Sequence, residues 1–462
     1  MAATLVREFI TNQTLAGRFF FTPNSIVGTD ISQFCAIVAK DMAHHVPPLR
    51  NTITATLKDS LTLQQGFQRQ FQRLIVEPLK TFQEDRTLIL VIDALDNCHP
   101  DGRELLLESI LENISSINKF KVLITSRPIS DIVDILSSSS LVRESDVQLF
   151  DITNPNLADV TMYVEETLPK LSTHQRKQIV DYSGGLFIVA STICSLVRWN
   201  RRAAELLDKP IHAEKSKGLD HLYLNMDMLY LQILKQAVMD QIGELAHAMM
   251  LSVLQIIIIV FQPVSINTIK RFLPKDVEVA AFVEALGALL KDGAPDRPIK
   301  VIHPTFREFL AEEARANGFL VSNVSSHAIT AIGCLDELDR SLDHDILRLC
   351  RPLHVAVRNT DVAELERKVE RVTSAATRYA SSYWTYHVAA SLENPDVWLR
   401  AITFLSTKLL NWVELMSWRE SVGVCIQGLA HLRGRVIPML LKKESPASGA
   451  LVQLREYSTN HQ

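Results

Sequence analysis

The residues best placed for chemistry in this chain are carboxylates and a guanidinium that follow short apolar runs. In Leu88 to Cys98, LILVIDALDNC, Asp93 leaves the end of a run of strand length, and Asp96 and Asn97 follow it. An aspartate at a strand end with a second acid just beyond can hold Mg²⁺ through water and aim a water at a nucleoside triphosphate. The same carboxylates can instead cap the next helix. Further on, KVLITSRP sets Arg127 after a second apolar run. A guanidinium there can grip a γ-phosphate by two parallel hydrogen bonds, or pair with a local carboxylate. His303 stands before Pro304 in IHPTFREFL, among Phe306, Phe309 and Leu310. Those neighbours by themselves favour a hydrogen-bonded structural histidine over a ligand.

Parallel strands would have to carry these residues. Leu88 to Ile92 is continuously apolar, as strands buried on both faces are. Arg18 to Thr22, RFFFT, reads as an earlier strand, Val122 to Ile124 as a later one, and Val147 to Phe150 as a last short strand completing βαβαβ. Between them, Phe34, Ile37 and Val38 recur at helical spacing before the Pro47-Pro48 break. Phe67, Phe71, Leu74 and Ile75 share one helical face, and Leu106, Ile110, Ile114 and Ile117 mark the inward side of a helix starting at Asp101. Right-handed crossovers then bring every polar strand end to one sheet edge, where α/β folds bind ligands.

Beyond about Asp151 helices dominate, with breaks at Ser183-Gly184-Gly185, Lys209-Pro210, Gln262-Pro263, Asp292 to Pro298 and Asn394-Pro395. Met249 to Phe261 is nearly all apolar but too short for a bilayer, which needs about 20 such residues, so it reads as a buried helix. Leu335, Leu338 and Leu342, and later Trp412, Leu415 and Trp418, recur at helical spacing and read as core packing rather than a groove. A net charge of −4 with no basic stripe argues against nucleic acid as a partner. Six cysteines without a CxxC pair argue against a disulfide framework or zinc cluster and fit reduced thiols in a cytoplasmic protein. MAATLVREFITNQ has no continuous apolar core of a secretory signal.

Taken in order, the FFF strand, the strand ending in DALD, LITSRP, SGGLF, LDHLY and IHPTFREFL resemble the NACHT modules of STAND-class P-loop NTPases, common in fungi. The resemblance runs to about Leu310 and more loosely to Trp412. It implies a P-loop NTPase-like α/β parallel sheet followed by helical, winged-helix and all-α regions. The expected divisions are a nucleotide-binding core at 1–150, a small helical domain at 151–215, a winged-helix-like domain at 220–322, a helical array at 325–445 and a frayed tail at 446–462. It also implies roles. Asp93 resembles the aspartate that serves Mg²⁺ and Asp96 the acid beside it, while Arg127 resembles a sensor of the γ-phosphate. Gly185, Leu186 and Phe187 occupy a turn that packs near the adenine, although the family's proline is absent. His303 matches a winged-helix histidine that reaches the β-phosphate of ADP.

Two departures bear on activity. Asn97 stands where the family has a glutamate, and an amide can orient a water but cannot act as a general base. No G-x-x-x-x-G-K-[ST] occurs, so the backbone N–H cradle and lysine for the phosphates are missing. The chain is expected to start just after that loop, without the sheet's first strand. Three functions follow as expectations. The first is a signalling switch controlled by ATP, ADP and Mg²⁺, with non-self recognition or programmed cell death implied by the fungal relatives. The second is a nucleotide-independent fragment whose partners are proteins: homologous chains, or itself by self-association. The third, an NTP-hydrolysing enzyme, would be a weak ATPase at most. No membrane partner is expected.

Overall fold

Leu88, Leu90 and Ile92 point to one side of a strand while Ile89 and Val91 point to the other, and both sides are covered. That is why the run is apolar without alternation. The computed structural model describes residues 2–22, 31–59, 62, 65–138, 147–150, 157–199, 219–239, 246–291, 294–349 and 357–441. The chain divides into two compact units, Met1–Ile152 and Thr153–Gln462.

In the first unit, β1 (Leu15–Phe20), β2 (Leu88–Asp93) and β3 (Phe120–Ile124) form one parallel sheet in the order β1-β2-β3. One face packs on the helices Phe34–His45 and Pro100–Ile114 and on Phe71, Leu74 and Ile75. The other is covered by Ala2 and Val6 of the amino-terminal helix Ala2–Thr11. Gly17 is needed where β1 meets the Phe34–His45 helix, because a Cβ there would stand 3.3 Å from both Val38 Cγ1 and the Val38 carbonyl. β1 begins earlier than RFFFT suggests. Ile37, expected to face inward, is 37% exposed, because the helix turns Phe34 and Val38 to the sheet instead.

Val147 to Phe150 is not a strand. It is irregular, with Leu149 69% and Phe150 78% exposed. A strand needs a neighbour to satisfy its backbone groups, and among the described residues this segment joins no ladder. The βαβαβ order is instead completed by β1, β2 and β3.

Among the described residues, the second unit is helical apart from a short antiparallel pair, β4 (Leu290–Lys291) and β5 (Lys300–Val301). The Ala246–Ile259 helix is mostly apolar, and its residues Met250, Val253, Leu254 and Ile257 are buried in the core of this unit. Among the described residues no helix is long and apolar enough to cross a membrane. Toward the carboxyl end, helices Asn323–Ser341, Ala375–Ala389, Pro395–Thr407, Leu409–Trp418 and Val422–Leu441 pack around Trp384 and Trp412, with ring centroids 5.2 Å apart. Trp412 Nε1 donates to the Ser381 carbonyl at 2.8 Å. Leu335, Leu338, Leu342 and Leu415 are buried, whereas Trp418 is half-buried. Cys35, Cys194, Cys334 and Cys425 are buried free thiols, and Cys98 is buried as well. Cys350, the Lys209-Pro210 break and the expected tail at 446–462 lie outside the described residues.

Two buried polar groups tie this unit together. Glu337 is fully buried and accepts from Arg271 Nε (2.8 Å), Arg340 Nη2 (3.2 Å), Ser341 Oγ (3.1 Å), Ser374 Oγ (3.0 Å) and Thr377 Oγ1 (2.7 Å). The second group is a histidine pair. His327 Nδ1 lies 2.9 Å from His387 Nδ1, and His387 Nε2 lies 2.8 Å from the Tyr379 hydroxyl, which accepts from Phe261 N–H at 3.1 Å. Burial lowers His327 from 6.5 to about 4, and burial with the neighbouring His327 holds His387 well below 6.5. A histidine whose folded pKa is depressed takes up its proton more readily when unfolded. Stability is therefore fully present above about pH 6.5 and is lost as pH falls from there toward 4. His327 alone accounts for about 3 kcal/mol across that window. Urea unfolding at pH 7 and pH 5 should show this loss in the wild-type chain. A His327→Phe, His387→Phe variant should have a flatter profile, and an equally steep one would rule the pair out as the cause.

Candidate functional site

The register of β2 on β3 pairs Ile92 with Ile124, so the next residues, Asp93 and Thr125, emerge side by side at the carboxyl edge of the sheet. Thr125 Oγ1 donates to Asp93 Oδ1 at 2.5 Å and accepts from Ala94 N–H at 3.0 Å. The Thr125 backbone makes two more bonds, donating to the Ile92 carbonyl (2.9 Å) and accepting from Leu95 N–H (3.0 Å). Together these hold Ala94 in the left-handed region, φ 56° and ψ 50°. That conformation costs a residue with a side chain about 1 kcal/mol or more, and it persists only where the surroundings enforce it. The turn swings Asp96 toward β3. Arg127 Nε there donates to Asp96 Oδ2 at 2.6 Å, and the Arg127 backbone N–H lies 3.4 Å from Asp96 Oδ1.

Asp93, Asp96 and Arg127 are thus brought to one edge, as their strand-end positions imply, with Asn97 half-buried in the same turn. Of the two readings of Arg127, the local ion pair is the one present. The Asp96 side chain is only 9% exposed, against 52% for Arg127, so the pair sits at the surface with its carboxylate sheltered. Asp93 does not cap the following helix. Pro100–Ile114 has His99 at its N-cap position, and Asp93 is committed to Thr125. Thr125 is the residue that motif reading passes over. Its signal was available: a hydroxyl immediately after the β3 run, opposite the strand-end aspartate.

The donor set sets terms for Mg²⁺. Asp93 offers hard carboxylate oxygen, while Asp96 is taken by Arg127 and, among the described residues, no group of three metal-ligating side chains exists. Mg²⁺ is commonly held by one or two carboxylates together with phosphate and water. The residues therefore fit a cation that arrives with a nucleotide, and Asp93 would be its protein ligand, through water. Bound there, Mg²⁺ would neutralise phosphate charge.

The other expected site residues belong to the second unit. Gly184 and Gly185 have φ of 55° and 85°, two consecutive left-handed residues that glycine adopts without a Cβ penalty. They end the Thr173–Ser183 helix, where Leu186 N–H donates to the Ser183 carbonyl at 2.9 Å. Leu186 is half-buried against the core. Phe187 is 47% exposed and meets Tyr163 edge-on at 5.8 Å.

His303 caps the Pro304–Ala311 helix. Its Nδ1 accepts from Thr305 N–H at 3.2 Å and lies 2.8 Å from Thr305 Oγ1, which in turn is 2.8 Å from the Tyr230 hydroxyl. An accepting Nδ1 makes the neutral ring the Nε2–H tautomer. Burial pushes the Tyr230 hydroxyl up to about 12, so it remains a donor in this chain of bonds. The structural role that the surrounding residues imply for His303 is therefore realised.

Comparison with known proteins covers these elements unevenly. Residues 1–127, from the first helix through β3 to Arg127, match the family model described as Nephrocystin 3, N-terminal. No curated protein matches the chain. Among solved structures, the chain is similar at 14% identity to a Signal Transduction ATPase with Numerous Domains (STAND) protein with a tetratricopeptide repeat sensor from Pyrococcus horikoshii. That similarity covers 95% of this chain and 63% of the other, with a TM-score of 0.36. At that score it carries no argument about the fold, and this chain spans less than two thirds of the archaeal one.

Proposed function

We propose that the chain is a STAND-type, NACHT-like signalling module whose first unit descends from a nucleotide-binding core. The observation that carries this reading is the meeting of Asp93, Thr125, Asp96 and Arg127 at the carboxyl edge of a parallel sheet. It lies within the segment matched by the Nephrocystin 3 amino-terminal model. In this reading ATP or ADP with Mg²⁺ engages Asp93, and Arg127 leaves Asp96 for phosphate. Gly185, Leu186, Phe187 and His303 keep, in this reading, the nucleotide roles that the resemblance implies. The winged-helix assignment of 220–322 has the support of a helix order ending in the β4–β5 hairpin and the Pro304–Ala311 helix. Cytoplasmic signalling, including a part in non-self recognition or cell death, belongs to the same proposal. Hydrolysis is not a main activity in this reading, because Asn97 supplies no base.

A second reading is a nucleotide-independent interaction protein. It is favoured by the Asp96–Arg127 ion pair, which occupies both groups. Titration calorimetry with ATP and ADP in Mg²⁺ separates the two. Binding tighter than about 100 μM, roughly 5.5 kcal/mol, is expected if the switch operates, and Asp93→Ala should then remove the Mg²⁺ dependence. Absence of binding would leave the second reading standing, and an unchanged Mg²⁺ dependence in the variant would remove Asp93 from the site.

A further inference from the structure

Two loops meet at the carboxyl edge of the sheet, residues 94–98 after β2 and residues 125–129 after β3, and the Asp96–Arg127 pair links them at the surface. That pair cannot by itself hold them together. Its guanidinium is 52% exposed, and exposed ion pairs contribute little, because water and salt screen them and a flexible side chain must be ordered to form them. Thr125 shapes the turn that carries Asp96, but Arg127 lies two residues beyond it in an irregular stretch.

A second link between the same loops is buried. Arg103, on the Pro100–Ile114 helix, is 5% exposed. Its Nη2 donates to the Cys98 carbonyl at 2.9 Å, and its Nη1 donates to Asp131 Oδ1 at 3.0 Å, with Asp131 Oδ2 2.9 Å away. Cys98 closes the turn that carries Asp96, its N–H donating to the Leu95 carbonyl at 2.9 Å. Asp131 lies in the first turn of the Ser130–Ser138 helix, and Ile129 N–H ties that end back to the Arg127 carbonyl at 2.9 Å. One guanidinium thus grips both loops, two residues after Asp96 on one side and four after Arg127 on the other. Such a grip needs the rigid fork of arginine, which sets two nitrogens at a fixed separation, each with its own partner. Arg103 Nε is buried with no hydrogen-bond partner among the described residues, so the hold rests on the two Nη contacts.

We infer that Arg103 is a positioning residue, clamping the loop after β2 to the loop after β3 and so holding Arg127 against Asp96. The two links run in opposite senses, with the acid of the surface pair on the β2 side and the acid of the buried pair on the β3 side. Loss of the surface link leaves the loops in place, whereas loss of the buried one lets Arg127 drift from Asp96. The consequence for nucleotide rests on the switch reading above: Arg127 can turn from Asp96 to a phosphate by side-chain rotation alone, with the loops still joined. A group held in place before its ligand arrives loses less freedom on binding.

The rate at which phenylglyoxal, a dicarbonyl that modifies arginine, reacts with Arg127 of the full chain tests this without nucleotide, read by mass spectrometry of the peptide that contains it. Asp96→Ala sets the rate of an unpaired Arg127, expected at up to about fivefold above wild type, the protection that a surface ion pair gives. Arg103→Met should approach that rate. Combined with Asp96→Ala it should be no faster than Asp96→Ala alone, because both substitutions remove the same contact. Arg103→Lys keeps a charge for Asp131 but cannot also reach the Cys98 carbonyl; its rate should fall between wild type and Asp96→Ala, and it decides the matter if the methionine variant lacks a cooperative melt. Leu107→Ala, which opens a cavity under the same helix and leaves the clamp intact, should keep the wild-type rate. A wild-type rate in the folded Arg103 variants, a double variant faster than Asp96→Ala, or a Leu107→Ala rate as high as theirs would overturn the proposal. So would a wild-type rate in Asp96→Ala, which would remove the pair itself. Absence of nucleotide binding bears on the switch reading alone and leaves this result as it stands.

Discussion

Replacing Glu337 by alanine is expected to lower stability by about 3 to 4 kcal/mol, the cost of breaking a buried ion pair by removing one partner. Its five donors come from three places: Arg271 on the Ile266–Phe272 helix, Arg340 and Ser341 on its own helix, and Ser374 and Thr377 at the start of Ala375–Ala389. Burial pushes the Glu337 carboxyl up, but the hydrogen bonds from Arg271, Thr377 and Ser374 and the Arg271 charge outweigh it, and the net shift is below 4.5. A carboxylate with a depressed folded pKa contributes stability above its unfolded pKa and loses it as pH falls through the folded one. The loss therefore begins below about pH 4.5, at the acid end of the window of the histidine pair.

Arg271 and Arg340 are about half-exposed and regain water when Glu337 is removed, which is why the expected cost is not larger. Thr377 is buried and does not regain it. Glu337→Gln should cost nearly as much, because an amide nitrogen would face donors where the second carboxylate oxygen now accepts. Urea denaturation at pH 7 measures both. A loss under about 1 kcal/mol for either would mean that the network behaves as a surface ion pair and does not join the helices.

Gly333→Ala should cost about 2 to 3 kcal/mol, against the usual rule for a glycine inside a helix. Alanine normally gains about 1 kcal/mol there. At Gly333 the added Cβ would lie 2.6 Å from Phe272 Cβ, 2.7 Å from the Phe272 carbonyl oxygen and 2.8 Å from Phe272 Cα. Two of those atoms are backbone, so relief requires the Ile266–Phe272 helix to move as a body, and overpacking of that kind costs 1 to 3 kcal/mol or more. Gly434→Ala, also in a helix interior but with open space beyond it, is the control and should stabilise the chain by up to about 1 kcal/mol. Thermal melts at low concentration compare them. If both variants gain stability, the close approach of the two helices at Gly333 is not present in solution.

Local pattern settled part of this protein. The apolar runs at Leu88 and Val122 read as strands, the first buried on both faces and the second half-buried at the end of the sheet, and the polar residues after them had to share one edge, because right-handed crossovers leave parallel strands no other arrangement. The mostly apolar helix ending at Ile259 was legible in the same way, from its length and its flanking polar residues.

Tertiary structure decided the rest, where the outcome hangs on which groups meet. Val147 to Phe150 has the composition of a strand but finds no ladder, and composition cannot supply one. Arg127 could have faced phosphate or carboxylate, and it lies against Asp96 because the left-handed turn at Ala94, held by Thr125, brings that acid across. His303 became a helix cap for a similar reason: Thr305 and Tyr230, 75 residues apart in the chain, converge beside its ring. Glu337 and the His327–His387 pair left no motif at all. Each depends on donors or rings from helices distant in sequence, and no periodicity within one segment encodes a partner that only packing brings near.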